Sequence, residues 1–443
     1  MSSNTFRGGV HPYEGKELSR QKPLVPYLPK GDLIFMLNQH IGKPAVPVVK
    51  KNDQVLAGQI IAKADGFVSA NIVSSVSGKV KAIQKVRGAL GFGVMAIIIA
   101  NDGEYKLADG VGDEENIEKL SGTEILQRIS AAGIVGMGGA GFPTHVKLAP
   151  KNPETIKYVI ANGAECEPYL TCDDQLMRSK ADEIVGGMEI MLRLFPNAEG
   201  LVLIEENKPE AIGAMTAACQ KSKVKVKVVK TKYPQGGERS IISVITGNHL
   251  KLGMLPADLG CVVDNVSTCR AVYRAVRYNE PLMERNFTVT GDAIAEPGNF
   301  MVKIGTPVGE VVEAAGGFKD GIQPEKILFG GPMMGTALAD LDTPICKNNN
   351  ALTAYREDPV LAAEKQMTNC LRCGRCTHAC PEGLNPQQMA VAAQKKQYER
   401  YEKKLFGLEC IQCGSCTFIC PAKRPLMQMF KQTKAEILAA RKR

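Results

Sequence analysis

The chain has 443 residues, 44% hydrophobic and 23% charged, a length that exceeds one hydrophobic core and predicts about two to four domains. Its longest apolar run, residues 91–100, is about half of the roughly 20 residues that a membrane helix needs, which predicts a protein that is soluble or peripheral to a membrane. The net charge of +9 is concentrated in residues 394–443, where 12 Lys and Arg stand against 4 Asp and Glu; this excludes a globally basic nucleic-acid binder and predicts an acidic partner or a membrane surface at that end.

The N-terminal part begins with a polar, proline-broken segment, which predicts an extended arm. Short β-like runs separated by glycine turns follow. They lie at residues 45–49, 54–61, 70–80 and 92–100. This part resembles the barrel-sandwich fold of lipoyl and biotinyl domains. Those carriers hold a modifiable Lys at a hairpin tip, whereas the comparable residues 65–70 have none. We therefore expect a docking or structural module, with a swinging carrier as the alternative.

In the next part of the chain, strand-like runs alternate with helical stretches. The strands are predicted at residues 156–161, 200–206, 224–230 and 261–265, and the helices at 123–133, 182–195 and 209–221. Such alternation predicts a largely parallel sheet covered by helices.

A glycine-rich segment, GIVGMGGAGFPTHVKL (133–148), stands between two of these elements. Its glycines allow backbone amides to approach a phosphate, and Lys147 lies where it can reach the same anion. A dinucleotide fingerprint follows a strand directly, but this loop follows a helix, so the ordinary Rossmann interpretation fails. A tight packing turn is the alternative. His145 within the segment is expected to have a surface or capping role.

Three polar segments follow predicted strands, and the ends of parallel strands share one edge. They are ANGAECEP (161–168), YPQGGERS (233–240) and VVDNVST (262–268). Acids, amides and glycines are therefore expected to converge with the glycine-rich loop on one crevice.

Together these segments resemble the flavin-bearing subunit of respiratory complex I. The resemblance implies an FMN site and a nicotinamide dinucleotide stacked on Phe142, with Glu167 and Glu238 at its polar groups. Met137 and Ala164 depart from that family, which has Arg and Asp there. The residues implied to line the FMN site are Gly136, Gly138, Gly139, Lys147, Asn162, Glu165, Gly237, Glu238, Asn265 and Thr268.

Strands are predicted to return between residues 286 and 337, around a turn at 296–299. This stretch resembles the soluble-ligand-binding β-grasp module, and we interpret it as a structural spacer, with a ligand role as the alternative. A linker rich in Asp, Asn and Pro is predicted over residues 339–360.

The last part contains a duplicated cysteine motif, CLRCGRCTHACP (370–381) and CIQCGSCTFICP (410–421). Both repeats read C-x₂-C-x₂-C-x₃-C-P, the spacing of two [4Fe–4S] clusters in which the fourth Cys of each repeat binds the other cluster. A pair of structural zinc sites is the alternative, although such sites use separated C-x₂-C pairs. The predicted ligands are Cys370, Cys373, Cys376 and Cys420 for one cluster and Cys410, Cys413, Cys416 and Cys380 for the other.

The stretch between the repeats has no Gly or Pro from Gln387 to Phe406, which predicts one helix and a helical ferredoxin-like domain. In the basic tail, residues 423–443, Leu426, Met429 and Phe430 share one helical face. We expect this tail to bind a partner or a membrane surface, with a solvated helix as the alternative. The other six cysteines have no repeated spacing and are expected to be buried small side chains.

The fold class is therefore multidomain α/β and α+β: a barrel-sandwich N-domain, a Rossmann-like parallel α/β flavin/NADH domain, a β-grasp domain and a helical double-cluster ferredoxin domain. The expected boundaries are an arm (1–31), the barrel sandwich (32–114), the FMN/NADH domain (115–280), the β-grasp domain (281–338), the linker (339–360) and the cluster domain with its basic tail (361–443).

This domain order resembles the C subunits of the Rnf complexes, which are membrane-bound, ion-translocating ferredoxin:NAD⁺ oxidoreductases. The resemblance implies an electron-transfer enzyme subunit with FMN, NAD(H) and two [4Fe–4S] clusters, peripheral on the cytoplasmic face of the membrane. Its implied partners are integral-membrane and ferredoxin-like subunits, NADH and, indirectly, ferredoxin, with no nucleic acid. The alternatives are a soluble flavin/iron–sulfur reductase of the cobalamin-reductase type and a non-catalytic electron-transfer adaptor.

Overall fold

The computed structural model describes residues 4–441. The first region holds two antiparallel sheets, ordered β2-β8-β7-β4 and β3-β5-β6, around one core that includes Phe35, Ile72 and Ile97. The predicted run 70–80 is split, because the Ser74 hydroxyl bonds the Val76 carbonyl locally where the chain turns between two strands. The strands are β1 Leu24–Tyr27, β2 Leu33–Met36, β3 Val46–Pro47, β4 Gln54–Val55, β5 Ile60–Lys63, β6 Ile72–Val73, β7 Gly78–Arg87 and β8 Gly93–Asn101.

The second region is the predicted parallel sheet with helices on both faces. Its strand order is β11-β10-β9-β12, and each pair is parallel. The strands are β9 Tyr158–Gly163, β10 Glu199–Glu205, β11 Val224–Val229 and β12 Cys261–Asn265. The helices are α1 Gly122–Ala131, α2 Thr144–Lys147, α3 Cys172–Ser179, α4 Ala181–Leu192, α5 Pro209–Cys219, α6 Glu238–Thr246 and α7 Val266–Arg277. The central strand β10 is buried along nearly all of its length, which explains its continuous apolar run.

The third region is one six-stranded sheet, ordered β1-β14-β13-β17-β15-β16. It takes β1 from the N-terminal arm and β17 from the segment predicted to be a linker. That linker prediction is wrong for Ala351–Tyr355, which is fully buried, because Asn and Asp turns on both sides disguise a short apolar strand. The elements are β13 Glu284–Thr290, β14 Gly298–Lys303, α8 Val308–Ala314, β15 Lys326–Phe329, β16 Thr336–Ala337 and β17 Ala351–Tyr355.

The last region is helical, but the single helix predicted between the cysteine repeats is wrong. The helix ends at Gln394, Lys396 adopts a left-handed φ of 50°, and a separate π-helical turn covers Arg400–Lys404. The break lets Tyr401 enter the core of this region. The helices are α9 Pro359–Lys365, α10 Arg375–Ala379, α11 Pro386–Gln394, α12 Ser415–Phe418 and α13 Leu426–Ala440.

The apolar face of the basic tail packs inside the protein. Leu426 and Phe430 on α13 are buried against α11, and Met429 packs beside them. The apolar face is therefore not the contact surface, and binding of the basic tail to a partner or a membrane surface stays a prediction. Residues 442 and 443 of the predicted tail lie outside the described residues. In the described part of the chain, every helix is too short or too polar to cross a lipid bilayer.

Candidate functional site

The glycine-rich loop between α1 and α2 folds back on itself. The Gly136 N–H donates to the Phe142 carbonyl at 2.7 Å, and the Gly141 N–H donates to the Gly136 carbonyl at 3.1 Å. Gly139 and Gly141 have φ values of 119° and 70°, which disfavour any residue with a Cβ. Gly138 and Gly139 are exposed at the tip of the loop, and Phe142 is half-buried. The loop therefore presents bare backbone, as a phosphate or flavin cradle requires.

Lys147 lies beside this loop at the end of α2. Its Nζ donates to the Val263 carbonyl at 2.6 Å and to Asp264 Oδ1 at 3.2 Å, and Glu238 Oε1 lies 3.9 Å away. Although burial opposes its charge, the Asp264 and Glu238 carboxylates raise the pKa of Lys147, so the side chain stays cationic. An ammonium has three N–H donors, and two of those of Lys147 have hydrogen-bond acceptors here.

The predicted amide and hydroxyl side chains hold the crevice loops together. Asn162 Nδ2 donates to the Gly236 carbonyl at 2.9 Å, next to Gly237. Asn265 begins α7 by accepting from the Ser267 N–H at 2.8 Å, and Thr268 Oγ1 accepts from the Met137 N–H at 3.0 Å. Gly136, Gly138, Gly139, Phe142, Lys147, Asn162, Gly237, Glu238, Asn265 and Thr268 thus belong to segments that meet at the C-terminal edge of the parallel sheet.

Glu165 and Glu167 are turned away from that crevice. Glu165 is buried and accepts from the Asp173 and Asp174 N–H groups at 2.9 and 3.3 Å, where α3 begins. Burial raises its pKa to about 7, even though the Lys16 ammonium lies 4.0 Å away. Glu167 accepts from the Met333 N–H at 2.6 Å, and burial raises its pKa to about 6. Both carboxylates therefore already have partners within the protein.

The departures Met137 and Ala164 are both buried, so neither side chain lines the crevice. The carbonyl of Met137 accepts from the Arg285 guanidinium at 3.2 Å, and Arg285 is buried in β13. Sequence reasoning missed Arg285 and Asp264. An acid at the end of an apolar strand was a usable signal for Asp264, whereas Arg285 is 148 residues from Met137, the loop residue that it bonds, and gave no local signal.

A cavity of about 260 Å³ lies behind the loop, lined by Met137, Arg270, Arg274 and Glu284 among others. Its two arginines are paired with Glu183, Glu280 and Glu284. It is separate from the crevice and leaves neither arginine free for an anion.

Four cysteines predicted to share a cluster line one small cavity. They are Cys380, Cys410, Cys413 and Cys416, which we call the proximal site. Burial raises the pKa of the Cys380 thiol to about 11, and iron coordination would offset this cost because iron binds the thiolate. The Gln412 N–H donates to Cys410 Sγ at 3.4 Å, as expected for a sulfur that carries charge. The residues present therefore fit a cluster.

The other four cysteines form the distal site: Cys370, Cys373, Cys376 and Cys420. Cys376 and Cys420 are close enough to interact electrostatically, although they belong to different repeats. The Arg372 N–H donates to Cys370 Sγ at 3.4 Å, which repeats the geometry of the proximal site. Cys370 and Cys373 are exposed. Between residues 4 and 441 no three Cys, His or acidic side chains surround a single-ion position.

The other cysteines, which were expected to be buried small side chains, are buried or half-buried. Cys172, Cys219, Cys261 and Cys269 are buried, and Cys166 and Cys346 are half-buried. His145 is half-buried in the first turn of α2, and burial lowers its pKa.

The crevice and the proximal site are in direct contact. The Tyr233 hydroxyl, from the loop that contains Gly237, donates to the Cys413 carbonyl at 2.8 Å. Arg239 on α6 bridges Glu382 and Glu409 of the cluster region at 2.8 and 3.0 Å. One segment, residues 233–239, thus borders both sites.

Four family models match the chain, each over a separate part. They are described as the RnfC barrel sandwich hybrid domain (residues 4–104), the Nuo51 FMN-binding domain (129–274), the SLBB domain (286–337) and the 4Fe-4S dicluster domain (363–421).

Curated relatives match over most of the chain. The C subunit of the proton-translocating ferredoxin:NAD(+) oxidoreductase complex of Clostridium ljungdahlii is 46% identical, over 99% of this chain and 95% of its own length. The Na(+)-translocating counterpart of Acetobacterium woodii is 38% identical, over 100% and 99%. The C subunit of the ion-translocating oxidoreductase complex of Rhodobacter capsulatus is 43% identical, over 88% and 75%.

Among solved structures, two crystal structures of an NAD⁺-reducing [NiFe]-hydrogenase share part of the fold. The air-oxidised form has a TM-score of 0.51 at 19% identity and covers 75% of this chain and 68% of its own. The H₂-reduced form has a TM-score of 0.51 at 21% identity, with coverages of 73% and 63%. At these identities the likeness concerns the fold.

Proposed function

The chain belongs to the family of C subunits of the ion-translocating ferredoxin:NAD(+) oxidoreductase complexes, and from this premise we propose how its residues divide the work. It is an oxidoreductase subunit with an FMN-binding domain and a 4Fe-4S dicluster domain. We propose that the crevice is where NAD(H) reacts and that the two cysteine sites connect it to the other subunits of the complex.

The exposed glycine loop and Lys147 would hold FMN through its phosphate, with Asn162, Gly237 and Asn265 shaping the crevice around it. Bound FMN supplies the conversion between the two-electron chemistry of NAD(H) and one-electron transfer. Phe142 would stack on the nicotinamide, and Glu238, whose side chain is 43% exposed, would contact polar groups of the dinucleotide. The pairing of Lys147 with buried Asp264 supports this role, because it keeps a cation fixed at the loop.

We propose an indirect role for Glu165 and Glu167. Their carboxylates bond backbone N–H groups of α3 and of the turn at Met333. They would therefore fix the segment that follows β9 rather than touch the flavin. Asn162, which reaches the crevice, lies in β9 just before that segment. This is a revision of the ligand contacts that the resemblance implied.

The order of the two cysteine sites carries the proposal. The proximal site adjoins the crevice loop through Tyr233 and Cys413, whereas the distal site has two exposed cysteines. Electrons would therefore travel between the crevice and the proximal site inside the chain and leave or enter through the distal site.

The surface around the distal site supports contact with an acidic partner there. Leu371 is 65% exposed, Arg372 and Arg375 of the same cysteine repeat are also exposed, and so is Lys423, three residues after Cys420. Within residues 4–441 these three cations have no carboxylate partner. An apolar centre with a basic rim is complementary to an acidic subunit that carries its own redox centre. The subunit belongs to a membrane-bound complex, and we propose that it lies on the cytoplasmic face, where NAD(H) is available.

The finer fold assignments belong to the same proposal. We interpret the parallel α/β region as the flavin/NADH domain and the third region as a β-grasp spacer that connects it to the cluster region. The bonds from the turn at Met333 to Glu167 support the spacer role.

The test is anaerobic purification followed by cofactor analysis. We expect about eight irons per chain for two [4Fe–4S] clusters, one FMN, and NADH oxidation with an artificial acceptor. Eight irons without NADH oxidation, even with added FMN, would indicate an electron-transfer adaptor instead. Recovery of the chain with integral-membrane subunits would separate it from a soluble reductase.

A further inference from the structure

The N-terminal arm runs along the seam between the α/β region and the cluster region. The Gly9 N–H donates to the Ala379 carbonyl at 2.9 Å. Val10 and Tyr233 exchange two backbone hydrogen bonds of 2.8 and 2.9 Å. The arm thus contacts the crevice loop on one side and the first cysteine repeat on the other.

Gly8 lies against the backbone of a proposed cluster ligand. A Cβ at Gly8 would lie 2.6 Å from the carbonyl oxygen of Cys380 and 2.8 Å from its carbonyl carbon. The φ of Gly8 is 77°, so both its conformation and its surroundings require glycine. Cys380 is the residue that crosses from the first repeat to the proximal site.

Tyr233 holds a second ligand of the same site. Its side chain is 1% exposed, and its hydroxyl donates to the Cys413 carbonyl at 2.8 Å. Tyr233 also packs with Val10, Ala379 and Cys413 in one small apolar cluster. The backbones of two proximal-site cysteines therefore meet the arm and the crevice loop at one point.

We propose that Gly8, Gly9, Val10 and Tyr233 form a positioning joint, which fixes Cys380 and Cys413 relative to the crevice. The proposal rests on the function proposed above. Groups that orient metal ligands control affinity and potential, and the separation of two redox centres controls the rate of transfer between them. Among the described residues, the cluster cysteines that the joint contacts are Cys380 and Cys413, both in the proximal site, so perturbing the joint should affect that site more than the distal one.

The first experiment compares Gly8→Ala with Gly103→Ala in the anaerobically purified full-length holoprotein. Gly103 has a φ of 73°, and a Cβ added there would have no atom within 4 Å, so it controls for the conformational strain alone. Iron release to a chelator should become biphasic in Gly8→Ala, with half of the iron leaving about tenfold faster than in the parent. Gly103→Ala should match the parent. Release at the parental rate, or equal acceleration of all the iron, would overturn the proposal.

The second experiment uses Tyr233→Phe, which keeps the buried ring and removes the hydroxyl that donates to the Cys413 carbonyl. Tyr398→Phe, whose exposed hydroxyl bonds Glu436, is the matched control. Redox titration followed by electron paramagnetic resonance should show a changed midpoint potential for one cluster in Tyr233→Phe and for neither in Tyr398→Phe. Unchanged potentials in Tyr233→Phe, or equal shifts of both clusters, would contradict the joint.

The iron content of the parent protein distinguishes a wrong cluster assignment from a wrong role for the joint. A parent without iron would refute the cluster assignment itself. A parent with about eight irons whose Gly8→Ala and Tyr233→Phe variants behave like it would refute the joint alone.

Discussion

The proximal and distal cysteine sites have the same local structure and opposite surroundings. In both, the second residue after the first cysteine donates its N–H to that sulfur at 3.4 Å, and a glycine with φ near 80° follows. Yet Cys413 and Cys416 are buried, whereas Cys370 and Cys373 are exposed. The comparison teaches that the motif builds the loop, and that the neighbouring elements decide how far its cysteines are exposed.

The strongest challenge to this comparison is the removal of one ligand from each site. Cys413→Ala and Cys373→Ala should each lose about four of eight irons. Reduction of the remaining cluster by NADH should slow by at least ~10-fold in Cys413→Ala and stay at the parental rate in Cys373→Ala, because within residues 4–441 the proximal site is the one that contacts the crevice loop. Freeze-quench electron paramagnetic resonance measures both rates, and the reverse pattern would exchange the two roles.

On the crevice side, Lys147→Met should destabilise the protein by about 3 kcal/mol, because Asp264 is left buried without its counter-charge. FMN should be lost as well. Lys147→Met/Asp264→Asn should recover stability but not FMN, which separates the two effects. Thermal unfolding and flavin content are the measurements. Lys365→Met at the exposed end of α9 is the control, with an expected change within about 0.5 kcal/mol. Retained FMN in Lys147→Met would reject the site assignment.

The buried acid Glu165 predicts that the stability of the protein depends on pH. The pKa of Glu165 is raised from 4.5 to about 7, so its contribution to stability is complete below pH 4.5 and is lost as the pH rises to 7. Glu165→Gln, which cannot ionise, should therefore gain stability relative to the parent between pH 5 and 8, by up to about 3 kcal/mol. Thermal midpoints across this range test it. A difference that does not grow with pH would mean that Lys16 outweighs burial.

The smallest effect on stability is expected on the outer surface. Arg372→Glu should change the free energy of unfolding by less than about 0.5 kcal/mol, because the side chain is exposed. It should nevertheless weaken association with the other subunits and reduce the salt dependence of electron delivery. Lys50→Glu on the barrel sandwich is the matched control. If Arg372→Glu and Lys50→Glu weakened association with the other subunits equally, the surface around the distal site would not be the contact surface.

Much of the fold could be predicted because its signals are local. The strands at 200–206, 224–230 and 261–265 were predicted within a residue or two, since apolar runs between turns identify buried parallel strands. The crevice segments were predicted from their positions after strands. The orientations of Glu165 and Glu167 could not be predicted. Both acids follow β9, the strand that contains Asn162, and only packing decides which side chain faces the crevice.

By itself, the sequence determined the two cysteine loops, the glycine-rich loop and the parallel sheet, because each depends on residue types at short spacing. Tertiary structure alone decided which cysteine site adjoins the crevice, that Ala351–Tyr355 is a strand, and that the face of α13 is internal. The contact of Gly8 with Cys380 shows the physical reason. It joins residues more than 370 positions apart, and no local pattern records which distant backbone a glycine must accommodate.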